Sequence, residues 1–184
     1  MHTRGRPNRR LLSAVTVTAT AGLAFGMSTP LTASAAGPHV VDGRGAAYND
    51  WGDEGTLSVR RHAESNATRL WQTILYADGA KWRDGNGRRH TFTKYDIDGS
   101  FGWKTRAATK WWQESQDDDE LENVDGIVDG ETFGLADDAL DGPYRNGNVT
   151  YSGYRYDVTF KRLDGKYYVK IDRRWRVAAY NWSG

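Results

Sequence analysis

The chain has 184 residues, with 25 basic and 24 acidic side chains, 8 tryptophans, 10 tyrosines and no cysteine. A formal charge of +1 does not favour a nucleic-acid-binding protein, and a chain without cysteine has neither disulfides nor a thiolate nucleophile. The aromatic rings exceed what a small helical core requires, so we expect some of them on the surface.

Residues 1–35 have the pattern of an export signal. Basic residues, including the pair Arg9 and Arg10, precede an apolar run over 11–27, and an AxA cleavage site ends at Ala35. The alternative, an uncleaved anchor, needs about 20 strongly apolar residues, and threonines and glycines dilute this run. Cleavage leaves 21 basic against 24 acidic groups, a charge of −3. We therefore expect a secreted or wall-associated protein without membrane or nucleic-acid partners; the arginine pair also allows twin-arginine export.

Glycine-rich residues 36–57 lack periodicity and predict a flexible leader, in which Tyr48 and Trp51 are the candidates to dock onto the domain. Apolar residues then recur at spacings of three and four over 67–75, which predicts a first helix with Ser65 or Asn66 as its N-cap. Gly79 is expected to end this helix. Residues 80–97 contain turn signals followed by alternation, which predicts a short strand.

The stretch 98–113, DGSFGWKTRAATKWWQ, combines a turn with a helix start. Gly99 can adopt the positive φ that an Asp-Gly turn favours, and Gly102 offers a second flexible point. From Trp103 onward, small residues and two large rings recur at helical spacing, so Trp112 is expected to face a core.

The same pattern occurs twice. Residues 125–132, DGIVDGET, repeat the seven-residue Asp-to-Thr spacing of DGSFGWKT, and Trp-Gln pairs occur at both 71–72 and 112–113. The order of these four elements resembles the peptidoglycan-binding-like domain of secreted wall hydrolases, whose pattern is a hydrophobic-Gln pair, DGxFGxxT, AVxxFQ and DGxVGxxT. The residues of the second helix and the two turns that match this pattern are Asp98, Gly99, Phe101, Gly102, Thr105, Trp112, Gln113, Asp125, Gly126 and Thr132.

The resemblance covers residues 58–140 and implies a secreted single-domain member with a small three-helix fold. Asp129 stands where the family has glycine, and residues 80–97 form an insertion relative to the family. The acidic run at 116–123 suits a solvated turn better than an EF-hand calcium loop. A third helix is expected from near Glu131.

Residues 141–184 lie beyond the resemblance. Alternation on both sides of Asp164-Gly165 predicts an antiparallel hairpin, and residues 175–181 offer a third strand. A lone hairpin is marginally stable, so we expect it to pack on the helices or to pair with the strand in the insertion. The predicted fold is therefore α+β: a small three-helix domain with a C-terminal antiparallel β-hairpin or short meander.

The sequence predicts neither a catalytic site nor a cofactor. His39, His62 and His90 are isolated from one another, so no zinc-ligand spacing occurs, and neither a GxSxG nor an SxxK motif offers a serine nucleophile. A carboxylate pair acting as in a glycosidase is an open alternative, because sequence does not show which acids flank a cleft.

A ligand site is predicted on the first turn of the second helix. Trp103 offers a ring to a sugar face, and Lys104 and Arg106 offer cations to carboxylates, although these charges are equally consistent with a solvated surface. We expect a monomeric, non-catalytic protein that binds a glycan strand or stem peptide of peptidoglycan. The alternative is a protein-interaction module that uses the C-terminal residues Tyr167, Tyr168, Arg173, Arg174 and Trp175.

Overall fold

The computed structural model describes residues 39–116 and 121–181, so the predicted export signal lies outside the described residues. Within these two ranges the α-helices are α1 (Asn66–Asp78), α2 (Trp103–Glu114) and α3 (Gly130–Asp137), and two short 3₁₀ helices lie at Ala47–Asn49 and Lys94–Asp96. The strands in the same ranges are β1 (Lys81–Arg83), β2 (Arg89–Thr91), β3 (Leu140–Asp141), β4 (Asn148–Ser152), β5 (Asp157–Leu163), β6 (Lys166–Ile171) and β7 (Arg174–Val177). Among the helices described, none is long and apolar enough to cross a membrane.

The strands form two antiparallel sheets. Strands β3 to β7 make a five-stranded meander in sequence order, while β1 pairs only with β2 in the insertion. The expectation of a three-helix domain with an appended hairpin or short meander is therefore wrong. Strands β3 and β4 escaped prediction because the turn residues Gly142-Pro143 and Asn146-Gly147 interrupt the alternation there.

The helices do not form a bundle. Helix α1 packs against α2 and also against β4, β5 and β6, whereas α3 lies against the short 3₁₀ helix Ala47–Asn49. A stripe of apolar side chains identifies a buried helix face, but it does not show whether a helix or a sheet covers that face. This ambiguity explains why the sequence indicated the helices and misjudged their partners.

Capping residues set the ends of the helices. Ser65 caps α1 by accepting a hydrogen bond from the Thr68 backbone N–H at 3.0 Å, and Gly79 ends the helix in the left-handed conformation at φ 65°. Asp129, which departs from the family pattern, is the N-cap of α3 and accepts a hydrogen bond from Thr132 N–H at 3.0 Å. The departure therefore supplies a stronger cap than glycine would.

A chain of aromatic rings joins the helices to the sheet. Trp71 on α1 packs edge-on against Trp112 on α2 and Phe133 on α3, at centroid distances of 5.1 and 5.7 Å. Trp51 continues the chain, at 5.9 Å from Phe133 and 5.1 Å from Tyr167 on β6. All five rings are buried, so helices and sheet share one core.

Residues 39–57 differ from the expected flexible leader. Trp51 is 0 % exposed, and Val41 and Leu57 are also fully buried. The Val41 N–H donates to the carbonyl of Ala178 at 2.9 Å, which ties this segment to the C-terminal residues. The glycines concealed this role because the segment pairs with residues more than 100 positions away, and local patterns carry no information about such pairing.

Candidate functional site

A buried glutamine holds the turn before α2. Gln72 on α1 accepts a hydrogen bond from the Gly99 N–H at 2.7 Å and donates to the Asp98 carboxylate at 2.8 Å and the Thr105 hydroxyl at 3.0 Å. Asp98 also accepts from the Ser100 N–H at 2.8 Å. Each motif residue of DGSFGWKT named here therefore shapes the turn or anchors it to α1.

The second repeat uses the same arrangement. Gln113 on α2 accepts from the Gly126 N–H at 2.8 Å and donates to the Ile127 carbonyl at 2.8 Å and the Thr132 hydroxyl at 3.2 Å. Asp125 accepts from the Ile127 N–H at 2.8 Å, as Asp98 does from Ser100. The sequence repeat is thus a repeat of one hydrogen-bonded unit.

Most motif residues serve the fold. Phe101 and Trp112 are buried in the core, Gly102 is the N-cap of α2, and Thr105 and Thr132 are buried beside the two glutamines. Of the motif residues, Asp98 and Asp125 are exposed at the surfaces of the turns. A ligand site therefore needs side chains other than these motif residues.

Such side chains meet at the start of α2. Trp103 is 59 % exposed and lies edge-on to Trp82 of β1, with ring centroids 5.2 Å apart. The opposite strand contributes His90, which stacks on Trp82 at 4.5 Å, and Lys104 places its ammonium group 4.9 Å from the Trp82 ring centre. We call Trp82, His90, Trp103 and Lys104 the tryptophan patch.

Carboxylates flank the tryptophan patch. Lys104 Nζ lies 2.6 Å from Asp96 Oδ1, and His90 Nε2 lies 2.8 Å from Asp84 Oδ2. Partial burial alone would raise the pKa of Asp96, but hydrogen bonds from Lys104 and Thr93 outweigh it and keep the pKa below its usual range. The pKa of Asp84 is lowered mainly by its hydrogen bond with His90. Both acids remain ionised at neutral pH.

The predicted ligand residues do not all meet. Trp103 and Lys104 join the tryptophan patch, whereas the Arg106 guanidinium lies at the second repeat, 3.4 Å from the Asp125 carbonyl. Sequence reasoning missed Trp82 and His90, which the β1–β2 hairpin of the insertion delivers to the patch. Trp82 and His90 face each other only because β1 and β2 pair as a hairpin. Strand β1 has three residues, too few to show the alternation that would have predicted this hairpin from the sequence.

Buried acids form a second cluster around residues 50–54. Asp50 pairs with Arg162 and accepts a hydrogen bond from the Tyr167 hydroxyl. Burial raises the pKa of Glu54 to about 7, although it accepts hydrogen bonds from the Asp42 N–H and the Tyr180 hydroxyl. These contacts join residues 39–57 to the C-terminal sheet.

Asp137 belongs to the same region. Burial raises the pKa of its carboxyl to about 7, and the carboxyl accepts a hydrogen bond from the Trp51 N–H. Beside this region lies a cavity of about 530 Å³, whose lining includes Asp42, Arg44, Asp50 and Asp53. Asp50, Glu54 and Asp137 each accept hydrogen bonds from groups of the protein itself, and these contacts link residues 39–57 to α3 and to the C-terminal residues.

The C-terminal surface differs from the predicted interaction surface. Tyr167 is fully buried, so it cannot meet a partner, whereas Arg173 and Arg174 are exposed and Tyr168 and Trp175 are half-buried.

Within residues 39–116 and 121–181, no three His, Cys, Asp or Glu side chains lie close enough together to hold a metal ion. Comparison with known proteins adds no family assignment: no protein-family model, no curated protein and no solved structure matches this chain.

Proposed function

We propose that this chain is a secreted, non-catalytic cell-wall protein that binds the glycan strands of peptidoglycan at the tryptophan patch. The observation that carries the proposal is the exposure of Trp103 beside a second tryptophan, on the first turn of a helix anchored by the Gln72 unit. The repeated turn motif, with its resemblance to wall-binding domains, and the export pattern of residues 1–35 support the same function.

The geometry of the patch suits a sugar ring. Trp82 and Trp103 lie at 80° to each other, so their rings form a corner with a large apolar surface on Trp103. The C–H face of a pyranose can stack on this surface, as apolar groups do on aromatic rings. Asp96 and Lys104, which lie next to the corner, offer an acceptor and a donor to hydroxyl and acetamido groups.

A glycan strand fits these contacts better than a stem peptide. Lys104 would be the cation for a peptide carboxylate, but it already pairs with Asp96 at 2.6 Å. A peptide carboxylate bound to Lys104 would either displace Asp96 or lie beside its negative charge, so it gains little, whereas a neutral sugar hydroxyl can use the remaining N–H donors without that repulsion. The Trp103 ring, by contrast, is 59 % exposed and is open to a sugar face.

Sedimentation with purified peptidoglycan tests this function. Trp103→Ala should weaken binding by about tenfold, because loss of a stacked ring costs on the order of 1–1.5 kcal/mol. The matched control is Tyr154→Ala, which removes a ring that is 77 % exposed in the segment between β4 and β5. Equal binding by the two variants would contradict the location of the site.

A second readout separates binding from hydrolysis. The wild-type protein should sediment with peptidoglycan without releasing soluble muropeptides, because the buried acids are engaged within the fold. Muropeptide release that is lost in Glu54→Gln or Asp137→Asn, with both variants still folded, would instead assign a hydrolase.

A further inference from the structure

A second exposed ring lies beside the tryptophan patch. Among the residues that the structure describes, Tyr95 has the most exposed large apolar or aromatic side chain, at 85 %. It belongs to the 3₁₀ helix Lys94–Asp96, and the Lys94 ammonium group lies 5.1 Å from its ring centre. Because so much of the ring is exposed, the lysine leaves the opposite ring face open to a ligand.

An ion pair joins the two elements that carry Tyr95 and Trp103. Asp96 directly follows Tyr95 in the sequence. Lys104 directly follows Trp103, and its Nζ lies 2.6 Å from Asp96 Oδ1. Asp96 Oδ2 also accepts hydrogen bonds from the Thr93 N–H at 2.8 Å and the Thr93 hydroxyl at 2.7 Å, which completes a capping box. These contacts fix the backbone beside one ring relative to the backbone beside the other.

Two separate rings suit a polymer better than a single sugar. Trp103 packs edge-on against Trp82, with 5.2 Å between the ring centres. Tyr95 instead has Lys94 over one face, so the two rings form separate surfaces. A single sugar stacks on one aromatic surface, whereas a chain of sugars can reach both. Once the first sugar is bound, the second contact forms within the same complex, at a high effective concentration.

The charges beside the two rings favour a neutral chain. Asp96 pairs with Lys104 at 2.6 Å, and Asp84 pairs with His90 at 2.8 Å. A polyanion would meet these two carboxylates, and Lys94 offsets only part of that repulsion. A neutral chain of N-acetylated sugars meets no such repulsion and can use the same polar groups as hydrogen-bond partners.

We propose that Tyr95 is a second stacking surface of the glycan site, so that one sugar of a linear, neutral N-acetylated glycan lies on Trp103 and a later sugar lies on Tyr95. This inference rests on the proposed function, because it takes the tryptophan patch as the first contact. The Asp96–Lys104 pair supplies an acceptor and donors to the sugar between them. The protein therefore recognises a run of several sugars within a strand rather than the end of a strand.

Titration of the protein with chitin oligosaccharides of two and six sugars tests this inference. The six-sugar chain should bind about tenfold more tightly than the two-sugar chain, because only the longer chain reaches both rings. Tyr95→Ala should weaken binding of the six-sugar chain by about fivefold and leave binding of the two-sugar chain unchanged, since one stacking contact is lost. Tyr95→Phe should bind as wild type does, because it keeps the ring.

Tyr154→Ala is the matched control, because it removes a ring of similar exposure, 77 %, from the segment between β4 and β5. It should bind both chains as wild type does. The inference is overturned if Tyr95→Ala binds the six-sugar chain like wild type, if Tyr154→Ala weakens that binding equally, or if wild type binds both chains equally.

The variant Trp103→Ala separates failure of this inference from failure of the proposed function. If only the role of Tyr95 is wrong, Trp103→Ala still weakens binding of both chains. If Trp103→Ala binds both chains like wild type, or if wild type binds neither chain, the glycan site itself is wrong and this inference falls with it.

Discussion

The turns before α2 and α3 each depend on a glycine with a positive φ. Gly99 has φ 83° and Gly126 has φ 76°, conformations that penalise any residue with a Cβ. Added carbons would meet different neighbours: at Gly99 the nearest atom belongs to the flexible Arg69 side chain, and at Gly126 it is the backbone carbonyl of Arg106, 2.7 Å away. Both glycines have a backbone conformation that a side chain would strain, but an added Cβ would meet a movable side chain at Gly99 and fixed backbone at Gly126.

Gly99→Ala should therefore destabilise the protein by about 1–2 kcal/mol, and Gly126→Ala should cost more, because a helix backbone cannot move aside as an arginine side chain can. Thermal melts of both variants measure this difference. Gly85→Ala is the control, since an added carbon there meets nothing within 4 Å. Equal melting of all three variants would disprove the argument.

Trp112 is a core residue rather than a binding residue. It is 1 % exposed, and its Nε1 donates to Asp78 Oδ2 at 2.6 Å. Trp112→Ala should destabilise by about 3–5 kcal/mol, since it leaves a cavity and removes a donor from a buried carboxylate. Trp103→Ala should cost less than about 0.5 kcal/mol. Urea denaturation of both variants checks the contrast, and a small effect at Trp112 would contradict it.

At the scale of elements, each glutamine unit fastens a turn to the preceding helix. Gln72 and Gln113 are both buried, and each bonds a glycine N–H and a threonine hydroxyl across more than one element. Because the donors and acceptors are buried together, each unit is stable only while all its members are present.

Gln72→Leu and Gln113→Leu should each destabilise by about 1–3 kcal/mol, because the leucine leaves buried N–H and hydroxyl groups without partners. Equilibrium unfolding measures the loss, with Lys110→Leu as a control at an exposed helix position. If the control is as damaging as either glutamine variant, the turns are not held in this way.

The sequence predicted those elements whose signals are local. Ser65 and Gly79 marked the ends of α1, Trp103 marked the start of α2, and Asp164-Gly165 marked the hairpin of β5 and β6. Strand β3 has only two residues and gave no signal. Docking of Trp51 was one of the expectations for the leader, but its ring partners Phe133 and Tyr167 are distant in sequence and could not be inferred.

The candidate site was predictable only in part for the same reason. Trp103 and Lys104 follow the turn motif directly, so their place on the first helical turn could be inferred. Trp82 reaches them only because the β1–β2 hairpin folds back onto α2. Spacing along the chain does not encode that contact.

At the scale of the whole molecule, buried acids join residues 39–57 to the C-terminal residues and to α3. Glu54 accepts a hydrogen bond from Tyr180, and Asp137 accepts one from Trp51. Burial raises both pKa values to about 7, from ordinary values of 4.5 for Glu54 and 3.8 for Asp137.

These pKa values predict how stability changes with pH. Between the ordinary pKa and about 7 the folded protein holds protons that the unfolded chain has lost, so the free energy of unfolding falls as pH rises across this interval. The melting temperature should be higher at pH 5 than at pH 8. Glu54→Gln should reduce this difference, and a melting temperature that rises from pH 5 to pH 8 would contradict the prediction.

The pairing of Val40 with Ala179 has a mechanical consequence. These two residues form an antiparallel bridge, and the Tyr180 N–H donates to the His39 carbonyl at 2.9 Å, so residues 39–40 and 179–180 lie side by side. A force that pulls residue 39 away from residue 180 would break these hydrogen bonds one after another, in an unzipping geometry. A pull on one end while the tryptophan patch is held would instead load the aromatic core. Attachment through either end therefore transmits force to nearly the same point.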